Sequence, residues 1–538
     1  MNLRTPLAFA LALTLGLTAC KGDAKPDPAS LLHPVTFPSG FLWGTAEAAW
    51  QVEGDLAADG VTPSTNWSIW TREFDGAGGE VNDRGAGFYT LYEADLDRMQ
   101  ALGVNAFRMG IEWARIEPQN DQWNQAAIDH YVKVIKAARK RKMTVMVTFW
   151  HWVVPDWITD PRLPKGNPGR DQIAVPHNQW LYDEFDEFVA HVMPFIKDDV
   201  DYYSVLNEPW SLIGGGYIAG MHPPGDLFNI DGALAVHTNL IFMQALAGKV
   251  IRDLDHGDAD GDGKPALIGQ AKASSIVLPL DPDDPKDVEG AKNYNRLFNA
   301  TDIDALVTGN LDVNGDGDYD DKNTVPPEGN YKELAGSLDW IGVQFYSPVY
   351  VMGIPGGQEP FTAIPTAKGF PGYVSTQPHT EMGSQIRPAT YLATIEFYWN
   401  RWHLPILLTE NGSGDCDDNQ RPRQTVEDVY AVGRAIDAGI DVRGYFHWSL
   451  TDNFEWSYGT TQCFGLFGVN YTTLERTKRR SADVYQRIIA ENGVNAALYR
   501  EAYGWGYDGK EGAPMDDTLR EIEAEMANGV DHTARYEP

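Results

Sequence analysis

Cysteine is scarce in this chain: 538 residues hold only Cys20, Cys416 and Cys463. Three thiols cannot staple a scaffold of this size, so apolar burial has to hold it together. Positive charge is short as well. The 43 Lys and Arg stand against 76 Asp and Glu, a formal charge of −33 with a pI near 4.6. Such a surface repels nucleic acid and anionic membranes, and excludes both as electrostatic partners. After the first twenty residues no segment approaches the ~18 uncharged apolar residues that cross a bilayer. A Gly-rich phosphate loop after the first strand-like run is missing too: Gly44-Thr45-Ala46 is no such loop, which argues against an open doubly wound sheet.

What the amino terminus does have is Arg4, an apolar run and small residues before Cys20, the layout of an export signal. The ending Leu17-Thr18-Ala19-Cys20 resembles a bacterial lipobox. It implies a signal peptide over 1–20, lipidation of Cys20, and a tether over 21–34. The alternative is an ordinary secretory signal with a chance cysteine. On this reading the body is exported, periplasmic or at the cell surface, and touches a membrane only through a lipidated N-terminus. Export makes a Cys416–Cys463 disulfide an expectation, with two free thiols the alternative.

From about residue 41 strand-like and helix-like segments alternate. The expected strands are 41–51, 106–113, 144–152, 202–208, 266–274, 339–347, 406–410 and 442–450, and the intervening helices are 88–102, 128–142, 178–200, 232–255, 288–307, 385–402, 425–438 and 482–492. Eight such units predict the α/β class and a closed (β/α)8 TIM barrel, one catalytic domain over 35–494, with an extension over 495–538. The basic run at 139–142 reads as a solvated helix end that complements the dipole.

Two acidic stretches interrupt this economy, at 253–263 and 312–323. Each alternates oxygen-bearing side chains and ends on Gly, like the opening of an EF-hand loop, and each lacks a closing carboxylate. In the second, Asp312, Asn314, Asp316, Asp318 and Asp320 are the candidate ligands of a structural calcium, and Asn323 stands where the bidentate ligand belongs. A solvated acidic loop is the alternative reading.

Two apolar runs end in a glutamate. Residues 406–412, ILLTENG, deliver Glu410, and residues 202–209, YYSVLNEP, deliver Glu208. In a parallel barrel, chemistry sits at strand C-termini, and strands four and seven face each other across the mouth. Paired carboxylates there suit glycosidic cleavage, which uses one as acid and one as nucleophile or base. An aromatic content of 12%, with 17 Trp, suits a cleft that stacks on sugar rings.

The motifs FLWGTAEAAWQVEG (41–54), FRMGIEWARIEP (107–118), TFWHW (148–152), LNEP (206–209), GVQFYS (342–347), LLTENG (407–412), YFHWSLTDNFEW (445–456) and CFGLFGV (463–469) together resemble glycoside hydrolase family 1, the β-glucosidase family. The resemblance runs from about residue 41 to 485. It implies Glu208 as acid/base and Glu410 as nucleophile, with Arg108 and Tyr346 holding Glu410 ionised and oriented. Gln51, His151, Trp152, Asn207, Trp448, Glu455 and Trp456 are implied substrate-binding residues. It implies a retaining exo-β-glycosidase that takes small β-glycosides or oligosaccharides, removes a terminal β-D-glucosyl residue and needs no cofactor for catalysis. A β-galactosidase or β-fucosidase of the same family is the alternative, and from another class a non-catalytic surface sugar-binding protein. Gln344 departs from the family's usual Asn, and Cys463 from its usual Arg. Oligomeric state is left open by the sequence.

Overall fold

The computed structural model describes residues 28–56, 63–356, 362–375, 377–504 and 516–528. Cys20, the signal segment 1–20 and most of the tether lie outside them. Eight parallel strands close into a barrel: β1 Leu42–Glu47, β2 Ala106–Gly110, β3 Thr144–Trp150, β4 Tyr202–Asn207, β5 Leu267–Ala273, β6 Trp340–Gln344, β7 Ile406–Asn411 and β8 Val442–Trp448. Each pairs with its neighbours in sequence, and β8 pairs with β1. Strands β2, β4 and β7 are buried at every position, as expected of strands covered on both faces.

The lumen is filled by side chains. Gly269 on β5 leaves space for the indole of Trp340 on β6, where a Cβ would come within 2.3 Å of the ring. Gly44 does the same for Phe446, at 2.2 Å. Large rings opposite absent side chains give the alternating fill of a small barrel.

Outside run the helices α1 Phe88–Leu102, α2 Gln125–Lys140, α3 Gln179–Ile196, α4 Ile230–Leu254, α5 Pro285–Asn295, α6 Pro388–Trp402, α7 Arg421–Asp437 and α8 Arg480–Glu491. Local chemistry sets their ends. Asn124 and Asn229 cap α2 and α4 by accepting the amides of Ala127 and Gly232. Helix α4 is apolar enough to span a membrane by composition, yet most of it is buried in the barrel wall. The basic run after α2 is more engaged than a solvated end: Arg141 pairs with Glu93 and Asp97 of α1, and Arg139 donates to the carbonyls of Met143 and Ala259.

Three features differ from expectation. The helix expected over 288–307 is split by a π-turn, Arg296–Ala300, into α5 and a second piece, Thr301–Thr308. A three-stranded sheet of Val277–Pro279, Val349–Gly353 and Ala363–Thr366 stands beside the mouth. The described segment Asp516–Asn528 of the C-terminal extension packs on the barrel flank: Glu523 accepts from Tyr430 and Arg434 of α7, and Glu521 pairs with Arg387 beside α6.

Candidate active site

The pairing register slips where the chain meets the mouth: after Val343 between β6 and β7, after Leu408 between β7 and β8, and after Ser204 between β4 and β5. Such irregularities re-aim side chains at a barrel rim, and here the re-aimed residues include Asn207 and Glu410.

The segment around Glu410 is explained residue by residue. Asn411 ties β7 to both neighbours, donating to the carbonyl of Phe345 at 2.8 Å and accepting from Tyr445 at 2.7 Å. A Cβ at Gly412 would lie 2.1 Å from the carbonyl oxygen of Trp448, so only glycine fits. Between these anchors Glu410 turns into the barrel. Its Oε1 accepts from Arg108 Nη1 at 2.5 Å and from Gln344 Nε2 at 2.6 Å, and its Oε2 from the Tyr346 hydroxyl at 2.8 Å.

Glu208 follows β4 with φ 43° and ψ 64°, a left-handed conformation that a non-glycine residue keeps only where its surroundings enforce it. Two neighbours do so: its amide donates to Ala271 at 2.8 Å, and Pro209 opens the short helix Pro209–Ile213. Asn207, one residue back, accepts from Arg108 Nη2 at 2.6 Å and Gln344 Nε2 at 2.9 Å through its Oδ1, so one guanidinium and one amide position the ends of β4 and β7 together.

The remaining expected residues gather around this pair. Gln51 donates to Asn453, the Phe454 carbonyl and Glu455, while its Oε1 has no partner among the described residues. His151 Nε2 faces the Asn207 side-chain nitrogen at 2.9 Å, which assigns Nε2 as acceptor and places the proton on Nδ1, the ring nitrogen without a partner among the described residues. Burial and the charge of Arg108 hold that imidazole well below its ordinary pKa, hence neutral. Trp448 stands near Glu455 with a hydrogen bond to it, and Trp456 lies against Trp50 and Trp152. Trp152, also expected at the substrate, donates its indole N–H to the carbonyl of Asn207 at 3.0 Å.

Three carboxyl groups share the cleft with a single buried guanidinium, and electrostatics sorts them. Burial pushes all three pKa values up. Glu410 alone has the counterweight, the charge of Arg108 together with the three hydrogen bonds, so the carboxylate belongs there. Glu208 has only Ser211 and a more distant Arg108 to oppose burial and the charge of Glu410, and rises to about 8. Glu455 also rises to about 8, from burial and Glu410, against hydrogen bonds from Gln51 and Trp448. Glu208, Glu455, Gln344 and Tyr346 line a cleft of about 250 Å³ together with Phe298 and Phe464.

Nothing in the sequence points to roles for Gln344, Ser211 and Asn453. Gln344 stands out there only as a departure from the family, and its place opposite Glu410 in the register makes it a neighbour. Cys416 and Cys463 are bonded to each other, joining the loops after β7 and β8. Buried Arg421 knits the same loops by donating to the carbonyls of Ser413, Asp415, Cys463 and Gly465.

The metal ligands expected in the second acidic stretch do not converge. Both oxygens of Asp312 accept backbone amides, Gly315 and Asp316 on Oδ1 and Gly317 on Oδ2. Asn314 and Asp316 accept the amides of Asp316 and Asp318, and no group of three acidic ligands within reach of one ion includes Asp312, Asp316, Asp318 or Asp320 among the described residues. Glu328, five residues beyond Asn323, closes the loop by accepting the amides of Val313, Asn314 and Asp321.

A parallel eight-stranded barrel that cradles one carboxyl group with an arginine at the end of strand seven, and leaves a second, at the end of strand four, raised by burial, has the equipment of a glycoside-cleaving enzyme. The chain belongs to glycosyl hydrolase family 1, whose family model matches residues 33–494. It is 31% identical over 526 residues to a β-galactosidase of Pyrococcus woesei, covering 86% of this chain and 99% of that one. It is 31% identical over 500 residues to a bifunctional β-D-glucosidase/β-D-fucosidase of Bifidobacterium breve, covering 85% and 99%. The β-glycosidase from Pyrococcus horikoshii superposes with a TM-score of 0.73 at 26% identity, covering 89% of this chain and all of that one. The protein is therefore a glycosidase of this family and needs no cofactor for catalysis.

Proposed function

We propose that the protein is a retaining exo-β-glycosidase whose preferred glycone is β-D-glucosyl. The observation that carries the proposal is the contrast between Glu410, cradled by Arg108, Gln344 and Tyr346, and Glu208, which burial and its neighbour drive toward the neutral acid. In the first step the Glu410 carboxylate attacks the anomeric carbon, the bond to the leaving oxygen breaks, and Glu208 gives that oxygen its proton. In the second, Glu208, now a carboxylate, takes a proton from water as the water attacks the same carbon and releases Glu410.

Recognition of the sugar falls to groups with unspent capacity. Glu455, held by Gln51, lines the cleft and can engage two adjacent hydroxyls.

Export is part of the same reading, supported by the N-terminal pattern and by a disulfide of the kind that persists in oxidising compartments. The relative named β-galactosidase supports the second reading, a galactosyl preference. Comparing kcat/KM on 4-nitrophenyl β-D-glucoside, β-D-galactoside and β-D-fucoside decides between them. A higher value on galactoside overturns the glucosyl assignment, and no turnover of any of the three overturns the enzyme.

A further inference from the structure

The first acidic stretch does what the second does not. Asp258 and Asp260 bring carboxylate oxygens within 4.8 Å of each other and of a third, from Asp201 at the foot of β4. Asp201 comes from a different part of the chain and supplies the carboxylate that the loop itself lacks. Its side chain is 95% out of solvent, at 5% exposure. Oδ1 accepts the amide of Ala259 at 2.6 Å, while Oδ2 is buried without a hydrogen-bond partner among the described residues. An orphaned oxygen of a buried carboxylate, beside two further carboxylates, calls for a cation.

The nearby cations are Lys264 and Arg139, the second of which acts on Asp201 by charge alone. Lys264 pairs with Asp262, and Arg139 directs its N–H groups to the carbonyls of Met143 and Ala259. None of Asp201, Asp258 and Asp260 forms an ion pair among the described residues. The loop is shaped in advance: Asp258, like Asp312, accepts loop amides on both oxygens, Gly261 at 2.7 Å and Gly263 at 2.9 Å, both glycines at φ 83°, a left-handed conformation that costs glycine little, so what sets the first loop apart is Asp201 and not its amide bonds. Exposed Asp258 and Asp260 leave one side open to water, and the donors are all oxygen.

We propose that Asp201, Asp258 and Asp260 bind a calcium ion, which ties the loop after α4 to the foot of β4. All-oxygen ligation selects a hard cation, and a site completed by water with irregular protein ligands suits calcium rather than the octahedral demands of magnesium. The site lies at the barrel end away from the mouth, so its readout is binding and stability.

The full chain, stripped with EDTA and dialysed, is titrated with CaCl2 by calorimetry and melted with and without CaCl2, with MgCl2 at matched ionic strength as control. One calcium per chain is expected, with a melting temperature that rises to saturation with CaCl2 and not with MgCl2. Asp258→Asn and Asp260→Asn, at exposed positions that spare the fold, are each expected to weaken binding at least tenfold, and Asp201→Asn to abolish it, whereas Asp312→Asn keeps it. The proposal is overturned by the absence of saturable calcium binding, by an equal response to magnesium, by unchanged affinity in Asp258→Asn and Asp260→Asn, or by loss of binding in Asp312→Asn instead.

Discussion

Gln344 and Glu410 stand opposite each other in the register of β6 and β7, and the side-chain amide of the first donates to the carboxylate of the second at 2.6 Å. The same amide reaches Asn207 at 2.9 Å, so Gln344 couples the two strand ends that carry the chemistry. Gln344→Leu removes both bonds at similar volume. The expected result is a fall in kcat of about 100-fold, the scale for losing one preorganised donor, with the acidic limb of the pH–rate profile moved to higher pH because Glu410 loses a group that favours its charged form. Steady-state kinetics from pH 4 to 9 on one aryl glycoside checks this, and an unchanged profile assigns Gln344 to packing alone.

The sequence made the barrel legible because its eight apolar runs are buried on both faces and alternate with amphipathic helices, and because Glu208 and Glu410 end two of those runs. What it hid depends on tertiary contact. Nothing local places Gln344 against Glu410, aims the indole N–H of Trp152 at a backbone carbonyl, or brings Asp201 to a loop more than fifty residues away. The π-turn at Arg296–Ala300 was invisible for a related reason: Asn299, which bonds the Ser275 carbonyl, looks like any helical polar residue until β5 is in place.

Protonation of Glu208 sets a pH dependence. Its carboxyl binds a proton more tightly in the folded chain than in the unfolded one, so its contribution to stability is fully present below the ordinary Glu value of ~4.3 and is lost as pH rises through about 8. Glu208→Gln, which cannot ionise, is expected to match the parent in stability at pH 4 and to exceed it by an amount that grows to a few kcal/mol by pH 9. Denaturant melts across that range measure the difference, and a constant offset contradicts the assignment. In the parent enzyme the same group is expected to give kcat/KM on alkyl glycosides a basic limb that falls through the same region.

The Cys416–Cys463 bond closes a loop with a sequence separation of 47. Chain-entropy arguments give a link of that size roughly 4 kcal/mol, before any relaxation of the reduced state. Cys416→Ser with Cys463→Ser is expected to lower the denaturation midpoint, and thiol titration of the unreduced, denatured parent is expected to find neither cysteine free. Because Phe464, next to Cys463, lines the cleft, the double variant is also expected to raise KM for aryl glycosides more than it lowers kcat.

The roles of the two glutamates separate in azide rescue. Glu410→Ala leaves Arg108, Gln344 and Tyr346 without their carboxylate and removes the group that attacks carbon, so no glycosyl-enzyme should form and a 2-fluoro activated glycoside should not label the protein. Glu208→Ala retains that attack. On substrates with good leaving groups, which need little protonation, the first step is expected to proceed, and the intermediate then stalls because no base activates water. Azide needs no base and is small enough for the space that the side chain vacates, so it should restore turnover. The product is expected to be the β-glycosyl azide, since two inversions at the anomeric carbon restore the starting configuration. Formation of only the α-azide would mean that azide had displaced the leaving group directly, and equal loss of activated and unactivated substrates would mean that Glu208 is not the proton donor. Either result would exchange or discard the roles assigned to Glu208 and Glu410.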